Sequence, residues 1–153
     1  MALPRLFASL TCTLIAIGGA QAAEVAPADV KYVDNGVSMS LTGVPGNPEE
    51  GSKVFVNRGL GNCLACHAVT ALKKELFHGD VAPSLDGAAD RWKPEELRAI
   101  VADSKQVFGK ETVMPGFYSL NVGSDVRKDL VGKTILTAQQ VEDVVAYLGS
   151  LKE

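Results

Sequence analysis

The firmest pattern along the chain lies near its C-terminal end. Val141, Val144, Val145 and Leu148 recur at the i, i+3, i+4, i+7 spacing of one helix face. Thr137 and Gln140 stand ahead of them as a capping box, each side chain able to bond the other's backbone N–H. The pattern predicts a terminal amphipathic helix. Asn47-Pro48-Glu49-Glu50 opens another: Asn can cap, Pro suits the first helical position, and the acids suit the N-terminal end of the dipole. That helix is predicted to run to about Arg58, stop at Gly59, and turn Val54 and Phe55 inward. Pro94-Glu95-Glu96 starts a third, reaching about Asp103, with Leu97, Ile100 and Val101 on one face.

Residues 68–92 and 104–136 read mainly as loop. Ala23 to Gly46 has no helical period and holds Pro27, Pro45, Gly36 and Gly43. A weak alternation of Tyr32, Val33, Val37, Met39 and Leu41 allows a short strand. The segment is either a loose tail or an arm packed on the domain or on a partner. Helices joined by long loops make the expected fold class all-α.

Residues 1–22 read as a signal peptide. Arg5 is their one charge, Leu10 to Ile17 form an apolar middle, and a small-residue stretch ends in an A-x-A site at Ala22. A membrane anchor is the competing reading, but the apolar run falls short of the ~20 residues that span a bilayer. Ser9-Leu10-Thr11 is a poor context for lipidation of Cys12. The expected organisation is therefore a signal peptide at 1–22, an N-terminal extension at 23–46 and one domain at 47–153. Composition adds little. A formal charge of −3 and 46% hydrophobic residues are unlike the basic stripe of a nucleic-acid binder.

The chemistry is concentrated in Cys63-Leu64-Ala65-Cys66-His67. C-x-x-C-H is the attachment pattern of a c-type haem, with two thiols for the porphyrin edge and an imidazole for the iron. A thioredoxin-like dithiol would need a βαβ context, and zinc a second Cys or His pair. The only other histidine is His78, and the only other cysteine is Cys12 in the segment read as cleaved. The expected cofactor is one haem c, covalently bound through Cys63 and Cys66, with His67 on the iron. Such a protein matures outside the cytoplasm, so the expected localisation is the periplasm.

A helix before this motif, long loops around it and a helix at the end resemble the class I cytochromes c across residues 47–153. The resemblance implies that the first and last helices cross, with Gly51, Phe55 and Tyr147 at the contact. Phe55 lies further upstream of Cys63 than in that family, which implies an inserted turn. It also implies a distal methionine in an M-P loop, matched by Val113-Met114-Pro115-Gly116-Phe117. Met114 as second ligand fits electron carriage, because a thioether favours the ferrous state. A gap-filling methionine is the plain alternative. His78 is the rival ligand, otherwise a surface loop residue. The resemblance further implies that the Pro83 carbonyl holds the second N–H of His67, which would fix the ring and raise its basicity. An ordinary loop proline is the alternative there. Trp92, Phe117 and Tyr118 are candidates for haem packing or core filling. Lys73, Lys74, Lys110, Lys128 and Lys133 are candidates for a docking ring or plain solvated surface.

Gly61-Asn62-Cys63-Leu64-Ala65-Cys66-His67, the Val144–Leu151 segment and the N-terminal extension are similar to SoxX, the monohaem cytochromes of SoxAX heterodimers. That resemblance implies a SoxA partner cytochrome, the SoxYZ carrier as the substrate of the complex, and a diffusible cytochrome c as electron acceptor. It implies the electron-transfer subunit of an enzyme that oxidatively joins thiosulfate to a SoxY cysteine. A free electron-shuttle cytochrome c is the alternative. The two differ in whether the extension or the 117–134 loop forms an apolar interface, since transient redox encounters bury little surface.

Overall fold

The computed structural model describes residues 23–153. The signal-peptide reading falls on residues outside that range. The described residues form helices α1 (Pro48–Val56), α2 (Ala88–Arg91), α3 (Pro94–Phe108) and α4 (Ala138–Leu148), with short 3-10 turns between them. The fold class is all-α. No strand forms among the described residues, and the alternation at 32–41 yields only a Val33–Gly36 bridge.

The caps are those the sequence implies. Asn47 Oδ1 accepts the Glu49 and Glu50 N–H groups at 2.9 and 3.4 Å. Thr137 Oγ1 accepts Gln140 N–H at 3.2 Å while Gln140 Oε1 accepts Thr137 N–H at 2.9 Å. Two boundaries differ from the expectation. Helix α1 ends at Val56 rather than near Arg58, because Asn57 leaves the helical region and its carbonyl closes a turn on Leu60 and Asn62. Helix α3 does not stop near Asp103 but breaks there and resumes as far as Phe108. The 68–92 loop also contains the single turn of α2.

Helices α1 and α4 cross at their glycine and aromatic positions. A Cβ on Gly51 would overlap the Asp143 carbonyl, so only glycine lets the backbones meet this closely. Beside that contact the Phe55 and Tyr147 rings meet edge to face, with centroids 5.4 Å apart. Phe55 is 1% exposed, and burial of such a ring contributes about 1.5–3 kcal/mol. The crossing belongs to one core that also takes in Leu64, Val69, Leu97, Val101 and Leu136.

The 23–46 segment is an arm on this domain. Val30, Val37 and Leu41 are buried in the common core. Leu41 N–H donates to Glu142 Oε1 at 2.7 Å, and Val37 N–H to the Glu95 carbonyl at 2.9 Å. Arg98 completes the joint. Its Nε and Nη2 hold both oxygens of Glu142 at 2.8 and 3.0 Å, and its Nη1 holds the Val37 carbonyl at 2.8 Å. A pair this buried has both its charges satisfied, so removing one partner would leave an expensive orphan.

Gly51→Ala is expected to destabilise the domain by about 1–3 kcal/mol or more through overpacking. A thermal melt checks this, and a wild-type midpoint would mean that the crossing can open at no cost.

Candidate haem site

The motif follows α1 by way of a tight corner. Asn62 adopts φ +49°, a left-handed conformation that asparagine tolerates better than most residues. Cys63–Ala65 then form a single 3-10 turn, closed by Cys66 N–H and His67 N–H on the Cys63 carbonyl at 3.1 and 2.9 Å. The turn expected between Phe55 and the motif lies ahead of it, closed by Leu60 N–H and Asn62 N–H on the Asn57 carbonyl at 3.1 and 3.0 Å. Leu64 points into the core, while Cys63 is half-buried and Cys66 exposed. Both thiols are free. Burial pushes the Cys63 thiol up to about 12. Gly79 packs so tightly over the turn that a Cβ there would overlap the Ala65 carbonyl.

His67 Nδ1 lies 2.7 Å from the Pro83 carbonyl oxygen. A carbonyl only accepts, so the proton sits on Nδ1 and the lone pair on Nε2 is left for a metal. The 83–86 strip that supplies this carbonyl is itself pinned. Asp86 accepts Thr70 N–H at 2.9 Å, Thr70 Oγ1–H at 2.7 Å and Ser84 Oγ–H at 3.0 Å. Arg91 donates to the Asp86 and Ser84 carbonyls at 2.6 and 2.9 Å. The Thr70 hydroxyl and backbone bonds hold the Asp86 carboxyl below its ordinary value.

Met114 is half-buried and packs on the same core as Cys63. Its carbonyl accepts Ser104 Oγ–H at 2.6 Å and Lys105 Nζ at 3.1 Å. Phe117 and Tyr118 are buried just after it. The Tyr118 hydroxyl lies 2.7 Å from the Val25 carbonyl and 3.0 Å from Glu24 Oε1, tying this loop to the N-terminal arm. Burial and Glu24 push that phenol up to about 12. Trp92 is half-buried and stacks edgewise on Phe108 at 6.0 Å. His78 is exposed, as are Lys73, Lys74, Lys110, Lys128 and Lys133.

Among the described residues no cluster of three or more His, Cys, Asp or Glu side chains could hold a bare metal ion. The donor set instead suits a metal that brings its own macrocycle. Two thiols in one turn can bond a porphyrin edge, and a single imidazole with its other nitrogen engaged can take one axial position. A half-buried thioether is a soft donor of the kind a second axial position uses.

Sequence reasoning missed the Ser104 and Lys105 contacts, the Asp86–Arg91 mesh and the Arg98–Glu142 joint. One signal was present. Asp103-Ser104 is a helix-disfavouring pair placed where an apolar face should continue.

The chain belongs to the cytochrome c family, whose model matches residues 48–152. The family carries haem c on a covalent attachment, which is the cofactor this donor set fits. Within that family the chain is a SoxX cytochrome. It is 48% identical to a chain in the crystal structure of SoxXA from P. pantotrophus, with a TM-score of 0.78, over 86% of this chain and 100% of that one. Ferric cytochrome c-550 from Paracoccus versutus is a far weaker match, at 19% identity and a TM-score of 0.39 over 71% of this chain and 99% of that one. A search of curated protein sequences gives no significant match.

The Asp86 carboxyl is held down in the folded chain, so its contribution is present above the unfolded value of about 4 and fades as pH falls through the lower folded value. Asp86→Asn is expected to flatten the acid limb of the thermal midpoint against pH, so that variant and wild type converge at low pH. The carboxyl is only partly buried and well solvated, so the effect should stay below about 1 kcal/mol. Parallel acid limbs would show that Asp86 does not pin the strip as a carboxylate.

Proposed function

We propose that this chain is the monohaem electron-transfer subunit of a SoxAX-type heterodimer in the periplasm. Residues 1–22 are its signal peptide, 23–46 its extension and 47–153 its haem domain. One haem c is bound through Cys63 and Cys66, with His67 as proximal and Met114 as distal ligand. The Pro83 carbonyl fixes the His67 ring. The observation that carries this reading is the 48% identity, over the full length of that chain, to a chain of SoxXA.

The haem supplies a single reversible electron. The residues of the chain do the rest. Pro83 keeps the proton on His67 Nδ1, which leaves Nε2 as the donor. The two cysteines tether the group without needing affinity to retain it. Met114 would supply the thioether that completes the ligand set, which would leave no place on the metal for oxygen or substrate. The only thiols after residue 22 are Cys63 and Cys66, so this subunit has none to bind sulfur. Joining thiosulfate to the SoxY cysteine forms one S–S bond and releases two electrons. Those electrons come from the SoxA side, one at a time, and leave to a diffusible cytochrome c.

The exposed surface supports a fixed partner over a free shuttle. The arm packs on its own domain yet exposes Val33 at 67% and Met39 at 60%, and the following loops expose Leu120 at 54% and Val131 at 65%. Apolar exposure of this kind suits a lasting interface better than a polar docking rim.

Affinity purification of the native protein from a thiosulfate-grown host is expected to recover a second c-type cytochrome in equal amount. Recovery of a lone monomer would sink the subunit reading. Met114→Leu in the oxidised protein should abolish the weak near-infrared band of methionine-to-ferric ligation. A band that survives the change would mean that another methionine holds that position, Met39 being the other one after residue 22, whereas a wild type without the band would point to His78.

A further inference from the structure

Helix α3 is broken in an unusual way. Asp103 has φ −153° and ψ 93°, well outside the helical region, yet the helix resumes beyond it. In an unbroken helix the carbonyls of Val101 and Ala102 would accept the N–H groups of Lys105 and Gln106. Here they accept Phe117 N–H at 3.2 Å and Tyr118 N–H at 2.9 Å. Lys105 N–H turns instead to Asp103 Oδ1 at 3.2 Å. The break therefore gives up helical bonds and spends their acceptors on the loop that carries Met114.

The next two residues act on the same loop. Ser104 is fully buried, and its hydroxyl donates to the Met114 carbonyl at 2.6 Å. Lys105 Nζ reaches that carbonyl at 3.1 Å and the Thr112 carbonyl at 3.3 Å. Gly116 lies against the Asp103 carboxylate, where a Cβ would stand only 2.9 Å from Oδ1. The loop is thus held on both sides of Met114 by one turn of one helix.

We propose that Ser104 and Lys105 are positioning residues for the Met114 thioether, and that the broken turn of α3 sets how readily this ligand yields its place on the iron. The proposal rests on the reading of Met114 as distal ligand. The physical argument is competitive. An incoming ligand must first displace the methionine, and the loop moves out only by giving up its bonds to the broken turn. A buried neutral hydrogen bond is worth about two- to tenfold in such an equilibrium, and one from a charged donor somewhat more. Neither side chain touches the iron, so removing either should loosen the loop without changing the ligand set.

The test is titration of the oxidised, haem-loaded protein with imidazole, followed by loss of the near-infrared band. Ser104→Ala should raise the apparent imidazole affinity about two- to tenfold, the share expected for one buried bond. Lys105→Met should raise it in the same direction, and Lys105→Arg, which keeps a cationic donor, should lie closer to wild type. Asn47→Ala serves as a control that weakens the fold at the exposed cap of α1 and should leave the affinity unchanged. Wild-type affinity in both Ser104→Ala and Lys105→Met would overturn the proposal while leaving Met114 as ligand. An equal rise in Asn47→Ala would overturn it too, since the effect would then follow general stability. If Ser104→Ala does not fold, the Lys105→Met and Lys105→Arg pair decides alone. Survival of the near-infrared band in Met114→Leu would instead remove the ligand reading on which the proposal stands, a result separate from the others.

Discussion

The close approach of α1 and α4 is the constraint on which the rest of this molecule depends. Gly51 lets the α1 backbone sit directly on the Asp143 carbonyl, and the Phe55–Tyr147 contact locks the angle. Because α1 leads into the Cys63 turn after one corner, fixing α1 also fixes the motif. Because α4 carries Glu142, fixing α4 also fixes the anchor for Arg98 and the N-terminal arm. Segments far apart in sequence are thus referred to one crossing, and neither helix would be stable alone at this length.

From that frame two loops are held by different means. The Pro83 side is pinned by a polar mesh at the surface, in which Asp86 and Arg91 satisfy hydroxyls, N–H groups and carbonyls of the loop itself. The Met114 side is pinned from below, by a helix that breaks to give its carbonyls away. The first arrangement is wet and its carboxylate titrates near the acid range. The second is largely buried and rests on a hydroxyl and an ammonium. The two sides should therefore respond differently to acid, with the methionine loop the more indifferent.

Much of this was legible in the sequence because it depends on local rules. The Asn47 and Thr137 caps, the inward Val54 and Phe55, and the crossing residues follow from short-range patterns or from the family resemblance, and the structure has them in place. The end of α3 was not legible. Asp103-Ser104 disfavours helix by propensity and the backbone does leave the helix there, but it resumes to Phe108 while the Val101 and Ala102 carbonyls turn to the 112–118 loop. The arm at 23–46 was undecided for a related reason. Its order comes from partners about a hundred residues away, Glu142 and Tyr118, which no local pattern announces.

On the proposed function these features meet in one requirement. A relay that takes single electrons from a two-electron sulfur oxidation must empty between them, so its ligand set should change little with each transfer. Loops free to move would add reorganisation to every step. Here the imidazole is referred through Pro83 to a bonded strip, and the methionine through its own carbonyl to a buried turn. Neither anchor is a side chain that touches the metal. The restraint therefore acts on backbone position and leaves the donor atoms chemically unaltered.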